Sequence, residues 1–379
     1  MAAASSSPEQ IADAAYALGC QDGRAGIAAR AVARHLNISA SAVNYHFENV
    51  VGLISAVSRL AQDAHEGELR KQLLKAEQLP HAFGSMSGFV AGLVVALTTS
   101  LRDCTLLRLE LEPPSSKSHS LTHPFWAEAA GIFGQARHAA IWEAFFEGAL
   151  QLAVLDRDAV TLTMWVARAC QRLEARLDRR ADKPALSSEP EREAGDPGFS
   201  TDALAPRALQ IVEAAASLLM RGEAMTHRSI AKEAGVPLGS TTYFFETKED
   251  IMLAASRALL AQTRKSENDW ASQGLDEPFD PDGSPRGSHV GLRQLTIAAA
   301  RDPMLAPLAL QMRSERGRSS YDFLIQAGVE EADRLDGLIW SLCHGGVERI
   351  VMRLPPAQRP SSFNQRMAKI GKAIFNFGT

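Results

Sequence analysis

Apolar residues in this chain recur with the period of a helix. Ile11, Ala14, Ala15 and Leu18 fall at i, i+3, i+4 and i+7, the spacing of one helix face, and Ile211, Ala214, Ala215 and Leu218 repeat the figure. Longer helical stretches are predicted over Ala127 to Leu155, Ala159 to Leu177, Tyr321 to Leu354 with a break, and Phe363 to Phe377. No strand-like alternation persists anywhere, so the pattern predicts an all-α fold.

The same pattern exposes an internal repeat. The segment ARAVARHLNISASAVNYHFENVVGLI returns as HRSIAKEAGVPLGSTTYFFETKEDIM, with Val32 matching Ile230, Ala33 Ala231, Ile38 Val236, Tyr45 Tyr243, Phe47 Phe245 and Leu53 Ile251 at a constant offset. These are mostly apolar positions, so one core is being built twice. Upstream the offset grows by two residues, which puts an insertion in the turn between Gly19 and Gly26, opposite Met220 to Met225. Between the copies the sequence turns to Pro, Ser, Glu, Asp and Gly (ADKPALSSEPEREAGDPGFST), too polar to fold, and reads as a linker. Two similar stretches, Pro113 to Pro124 and Ser272 to Ser288, read as loops within the halves.

In each copy a short helix (Ala28 to His35; His227 to Ala234) enters a turn and then a second short helix (Ser39 to Phe47; Pro237 to Phe245). The turn residues, Asn37 and Gly235, are the types that most readily take the left-handed conformation needed to redirect the chain. That is the expected geometry of a helix-turn-helix, whose second helix enters the major groove. Its surface suits DNA. Ser39, Ser41 and Asn44 in the first copy, and Ser240, Thr241 and Thr242 in the second, can reach base edges or phosphates. Ala40 and Gly239 permit close approach, Pro237 opens the second helix, and Leu238 can meet a thymine methyl group. A Ser/Thr-rich helix start is also an ordinary cap, and it is the repetition that favours DNA.

Helix, turn, SAVNYHF or STTYFF and a further helix about three residues later resemble the DNA-binding head of the TetR family of one-component regulators, here twice. The resemblance implies two TetR-like units, each a three-helix head followed by a helical ligand-binding and dimerisation domain, packed as an intramolecular pseudo-dimer. It implies boundaries at 1–60 for the first head, 61–180 for its regulatory domain, 181–205 for the linker, 206–263 for the second head and 264–379 for its regulatory domain. Phe47 and Phe245 resemble core residues that close the recognition helix, while Tyr45, His46 and Tyr243 resemble phosphate contacts. Lys248, with Thr247 as cap and Asp250 completing a capping-box pattern, resembles a further phosphate anchor. Arg30, Thr226 and Arg228 complete the expected DNA-facing set. The first copy departs at Val50, where the lysine is missing, so its grip is expected to draw on Arg24, Arg30 and Arg34.

The implied function is a sequence-specific repressor that binds a double-stranded, non-palindromic operator and is released by a small apolar or amphipathic effector. Candidates to line an effector pocket are Phe89, Arg108, Trp126, His138 and Trp142 in the first half and Met312, Arg313, Phe323, Trp340 and His344 in the second. A tether of about twenty-five flexible residues raises the effective concentration of each half for the other to about the millimolar range. Further self-association is left open. The alternative is a protein-interaction or architectural module that keeps the fold without specific DNA or effector binding.

Composition narrows this picture without changing it. A net charge of −4 means that any DNA contact is local rather than a global basic field. The four cysteines, Cys20, Cys104, Cys170 and Cys343, show no CxxC or Cys/His spacing, which argues against zinc and a disulfide framework. No GxSxG, P-loop or HExxH pattern is present, so neither an enzyme nor a cofactor is expected. The start MAAASSSPEQ lacks the features of a signal peptide, and the apolar run from Phe89 to Leu97 is short and broken by Gly92, so a cytoplasmic protein without a membrane partner is expected.

Overall fold

A computed structural model describes residues 7–111, 123–179, 204–221, 223, 225–271 and 277–376, and of 260–271 the backbone only. The fold is all-α. Among the described residues the only β pairing is an isolated bridge between Phe279 and Pro285. The expected loop after Pro113 and nearly all of the expected linker lie outside the described residues.

The helices run α1 Pro8–Asp22, α2 Ala29–Leu36, α3 Ala40–Phe47, α4 Val50–Gln78, α5 Met86–Thr99, α6 Arg102–Glu110, α7 Pro124–Ile132, α8 Ala139–Ala153 and α9 Ala159–Leu177. The second copy follows with α10 Pro206–Met220, α11 His227–Ala234, α12 Leu238–Phe244, α13 Lys248–Ala271, α14 Gly287–Arg301, α15 Ala306–Glu315, α16 Arg318–Gln326, α17 Arg334–Val351 and α18 Arg359–Phe375. Local chemistry sets many of these limits. Ser7 and Gln10 form a capping box in front of α1, with Pro8 in its first turn. Asn49 caps α4 by accepting from the backbone N–H groups of Val51 and Gly52. The stretch expected as one helix from Ala127 to Leu155 is broken, because Gly134 takes a φ of +70° between α7 and α8.

By packing, the chain divides into two compact units that do not coincide with its two sequence halves. One comprises residues 1–170 and 345–354, the other 171–344 and 355–379. In the first unit, residues 345–354 lie against α8. An added Cβ on Gly346 would sit 1.7 Å from the Ala144 carbonyl oxygen, so only glycine allows that approach, and Gln151 donates to the Gly345 carbonyl at 3.0 Å. In the second unit, Asp336 is fully buried and receives the guanidinium groups of Arg172, at 3.2 Å, and Arg176, at 2.6 Å. Arg172 also pairs with Asp333.

No single helix among the described residues is long and apolar enough to cross a membrane. Helices α5 and α6 would pass such a test only as a pair, and they are bent by 91°, with Phe89, Val90, Leu93 and Leu106 in the core.

Candidate nucleic-acid interface

Each copy folds its repeated block into three helices around a small core. In the first, Ile11, Ala15, Ile27, Val32, Val43, Leu53 and Val57 are buried together, and Leu107 and Leu111 close the cluster from α6 and its end. In the second, Ile211, Ala215, Leu218, Ile230, Phe245 and Ile251 form the equivalent cluster. The turn between α2 and α3 is made by Asn37 at φ 54°, ψ 43°, and that between α11 and α12 by Gly235 at φ 65°, ψ 28°. Both sit in the left-handed region. The N–H of Ile38 then returns to the Ala33 carbonyl, and that of Val236 to Ala231, which locks the two helices of each pair at their crossing.

This leaves one face of α3 and α12 outward. Ser39 caps α3, its hydroxyl accepting from the Ala42 N–H at 3.2 Å and lying 2.8 Å from the Ser41 hydroxyl. Ser41, Asn44 and Tyr45 are exposed, while Ala40 and His46 are half-buried and Val43 points into the core. On α12, Pro237, Leu238, Gly239, Thr242 and Tyr243 are exposed, and Ser240 is half-buried. An added Cβ on Gly239 would meet nothing within 4 Å, so its bareness serves no packing inside the molecule. Tyr45 is 84% exposed and Tyr243 82%. Phe47 and Phe245 pack into the head cores.

Thr241 corrects the sequence-based expectation. It is fully buried, its hydroxyl donating to the Leu238 carbonyl at 2.8 Å and lying 3.0 Å from His227 Nδ1. Thr241 holds the place that Val43 takes in the first copy, the position of the helix that faces the core of the block.

Around α3 and α12, Arg30 is exposed on α2 and Arg228 on α11. Thr226 caps α11 in a capping box with Ser229. Thr247 and Asp250 cap α13 reciprocally, at 2.9 and 3.1 Å, and this holds Lys248 at the helix start, partly exposed and 3.7 Å from Glu249. In the first copy Val50 and Val51 are exposed apolar residues at the corresponding place.

The expected pocket residues are core in the main. Phe89 and Trp126 belong to one aromatic cluster, each packing on Phe125, at 6.1 and 5.0 Å between ring centroids, with Phe146 4.9 Å from Trp126. Trp142 is buried on Phe145, and His138 lies half-buried in a 3-10 turn before α8, accepting from Arg137 at 2.9 Å. In the second unit Phe323 stacks on Trp340 at 5.6 Å, His344 packs edge-on against Phe363 at 4.8 Å, Met312 is buried and Arg313 half-buried.

Arg108 is committed to an ion cluster that sequence reading missed. Its guanidinium grips Glu147 with two hydrogen bonds, at 2.8 and 3.2 Å, and Arg349 stands 3.4 Å from the same carboxylate while donating to the Arg108 and Leu109 carbonyls. Arg353 is 3.9 Å from both Glu147 and Glu143. Burial would raise the Glu147 carboxyl, but the charges of Arg108 and Arg349 outweigh it and hold the group well below the usual carboxylate range. His65, buried against Phe146, is held neutral by burial and by the charge of Arg108. Among the described residues no hydrogen-bond partner faces His65 Nδ1 or Trp142 Nε1, and no cluster of three His, Cys, Asp or Glu side chains has metal-binding geometry.

No protein-family model matches this chain, and neither does any curated protein.

Proposed function

We propose that this chain is a transcriptional repressor of the TetR type whose two heads, joined in one polypeptide, grip a single operator and release it when a small molecule binds the helical body. The observation that carries this reading is the pair Tyr45 and Tyr243. Each is a large aromatic side chain, more than four-fifths exposed, at the matching place on a short helix that follows a left-handed turn. Such exposure contributes nothing to folding, and a tyrosine hydroxyl beside small hydroxyl and amide side chains suits phosphate and base-edge contact.

Pairing of the two repeats within one chain is supported by the ion clusters. In one, Glu147 of the first repeat is held by Arg349 of the second; in the other, Asp336 of the second repeat is held by Arg172 and Arg176 of the first. An effector site among the aromatic residues of the first unit is supported by His65 Nδ1 and Trp142 Nε1, which have no hydrogen-bond partner among the described residues and suit an amphipathic ligand with a polar end. Release then requires the effector to bind the DNA-incompetent arrangement better by several kcal/mol.

The exposed Val50 and Val51 favour a second reading, a protein-interaction module that has kept the fold. A gel shift with DNA from upstream of the chain's own gene separates the two. A discrete complex at nanomolar protein that weakens steeply with salt is expected of the repressor, and only diffuse binding would favour the module.

A further inference from the structure

Away from α3 and α12, the fold brings together a pair of thiols from distant parts of the sequence. Cys20 lies in the last turns of α1, in the first head, and Cys104 lies on α6. Their sulfurs are 3.5 Å apart, and the Tyr16 hydroxyl lies 3.0 Å from the Cys104 sulfur. Both cysteines are reduced and only half-buried, whereas Cys170 and Cys343 are buried. We propose that Cys20 and Cys104 form an oxidant-responsive pair that closes to a disulfide and staples the first head to α6, weakening its hold on DNA.

Geometry carries the first half of this. A disulfide needs its sulfurs about 2.05 Å apart, so they must approach by about 1.5 Å, a movement within reach of side-chain rotation and a small helix shift. The polar contacts also assign the roles. Cys20 and Tyr16 both donate to the Cys104 sulfur, which favours its thiolate, while the same contact and burial push the Cys20 thiol up. Cys104 is therefore the attacking sulfur and Cys20 the resolving one.

With a hydroperoxide as oxidant, the Cys104 thiolate attacks one peroxide oxygen and the O–O bond breaks. The departing hydroxide takes up the proton that Cys104 gave to solvent, leaving a sulfenic acid and one water. Cys20 then attacks the Cys104 sulfur, the S–O bond breaks, and hydroxide leaves with the Cys20 proton as a second water. Two thiols and one hydrogen peroxide give one disulfide and two waters.

The consequence for the head follows from how tightly α1 already meets α6. An added Cβ on Gly19 would lie 3.1 Å from the Leu107 side chain, the Arg24 N–H donates to Glu110 at 2.9 Å, and Leu107 is part of the head's core. Helix α1 is packed closely on α6 here, so the helix shift that brings the sulfurs together is passed to α1 and to the α2–α3 pair packed against it. The second head has no such device. The positions matching Tyr16 and Cys20 are Ala216 and Met220, and Met220 packs against Gly291. This consequence rests on the DNA-binding reading, but the disulfide itself does not.

The test oxidises the full-length protein with hydrogen peroxide and maps its peptides without reduction. A linked peptide containing Cys20 and Cys104 is expected, with Cys170 and Cys343 still reduced, and Cys20→Ser is expected to stop at a sulfenic acid on Cys104 that dimedone traps. Failure to form the linked peptide while both thiols stay open to alkylation would overturn the proposal. In the operator gel shift, oxidation should weaken wild-type binding roughly 5- to 150-fold, reversibly with dithiothreitol, and leave Cys20→Ser unaffected. Unchanged affinity of the cross-linked protein would sink the regulatory role. A reduced protein that never binds the operator would instead overturn the DNA-binding reading and leave the thiol pair to stand or fall on the peptide.

Discussion

Glu147 and His65 face the same buried guanidinium groups and answer them with opposite charge states. The carboxylate stays ionised because Arg108 and Arg349 surround it, and the imidazole stays neutral because burial and the charge of Arg108 disfavour a second cation. Glu147→Gln would leave those guanidinium groups buried without a counter-charge, at a cost of about 3–5 kcal/mol that urea unfolding should read directly. Both groups also tie stability to pH, with the same sign. Each has a folded pKa below its unfolded one, so its contribution is present at higher pH and is lost on acidification. For His65 the loss begins as pH falls below the ordinary value of 6.5. His65→Gln should therefore flatten the stability profile between about pH 5 and 6.5. The steeper decline through the carboxylate range, to which Glu147 contributes, should remain. A variant profile that keeps the wild-type slope above pH 5 would remove His65 from this role.

Among the elements, α12 shows how two adjacent, chemically identical residues take different tasks. Thr241 spends its hydroxyl inside the head, on the Leu238 carbonyl and His227, while Thr242 is exposed and donates to the Gly239 carbonyl of its own helix. Thr241→Val should cost about 1 kcal/mol of stability with DNA contacts intact. Thr242→Ala should leave stability within about 0.5 kcal/mol and, on the proposed function, weaken operator binding instead. Chemical denaturation and the gel shift, run on both variants, read the two effects separately; a reversed pattern would mean that α12 starts in a different phase. In α17 the decisive feature is a bare Cα. Gly346→Ala forces a methyl group into the Ala144 carbonyl and should fall at the upper end of the roughly 1–3 kcal/mol that overpacking costs, or beyond it. Gly92→Ala, on an open face of α5, should stabilise by about 0.5–1 kcal/mol. Thermal unfolding of the pair distinguishes lost packing from helix propensity alone.

At the scale of the whole molecule, the two heads are alike in frame and unlike in surface. A homodimer presents identical helices and selects a palindrome, but here Ser39, Ser41 and Asn44 stand on α3 and Leu238, Ser240 and Thr242 on α12. On the repressor function proposed above, the operator should therefore be non-palindromic. Asn44 can make a bidentate contact to adenine that Thr242 cannot copy, and a wrong base there should cost roughly 1–3 kcal/mol. Lys248→Ala should weaken binding to all sequences about equally and lower the salt slope by about one, whereas Asn44→Ala should relax specificity in one half-site. Selection from a random DNA pool checks the asymmetry: recovery of a perfect inverted repeat would show that two chains pair through one type of head.

What the linear chain determined by itself is the part of this protein whose energetics close within a few residues. The helical period of Ile11 to Leu18, the left-handed turns at Asn37 and Gly235, and the cap that Thr247 and Asp250 make for α13 all depend on neighbours no more than two turns away, so all were legible in order and spacing. The repeat made them legible twice. The inward turn of Thr241 was recorded there too, since at the constant offset of the repeat it occupies the place of the buried Val43, but its hydroxyl hid a core position behind a side chain that reads as polar. The meeting of Cys20 with Cys104, 84 residues apart, was not legible, nor was the seat that Gly345 and Gly346 find on α8, the Gln151 bond to Gly345 spanning 194 residues. Those depend on which helices pack together and at what rotation, which is set by the summed fit of many side chains, and no spacing along the chain records it. The tertiary structure alone decided that the two compact units would cut across the two repeats, with the Arg349–Glu147 and Arg172–Asp336 pairs each joining residues from both.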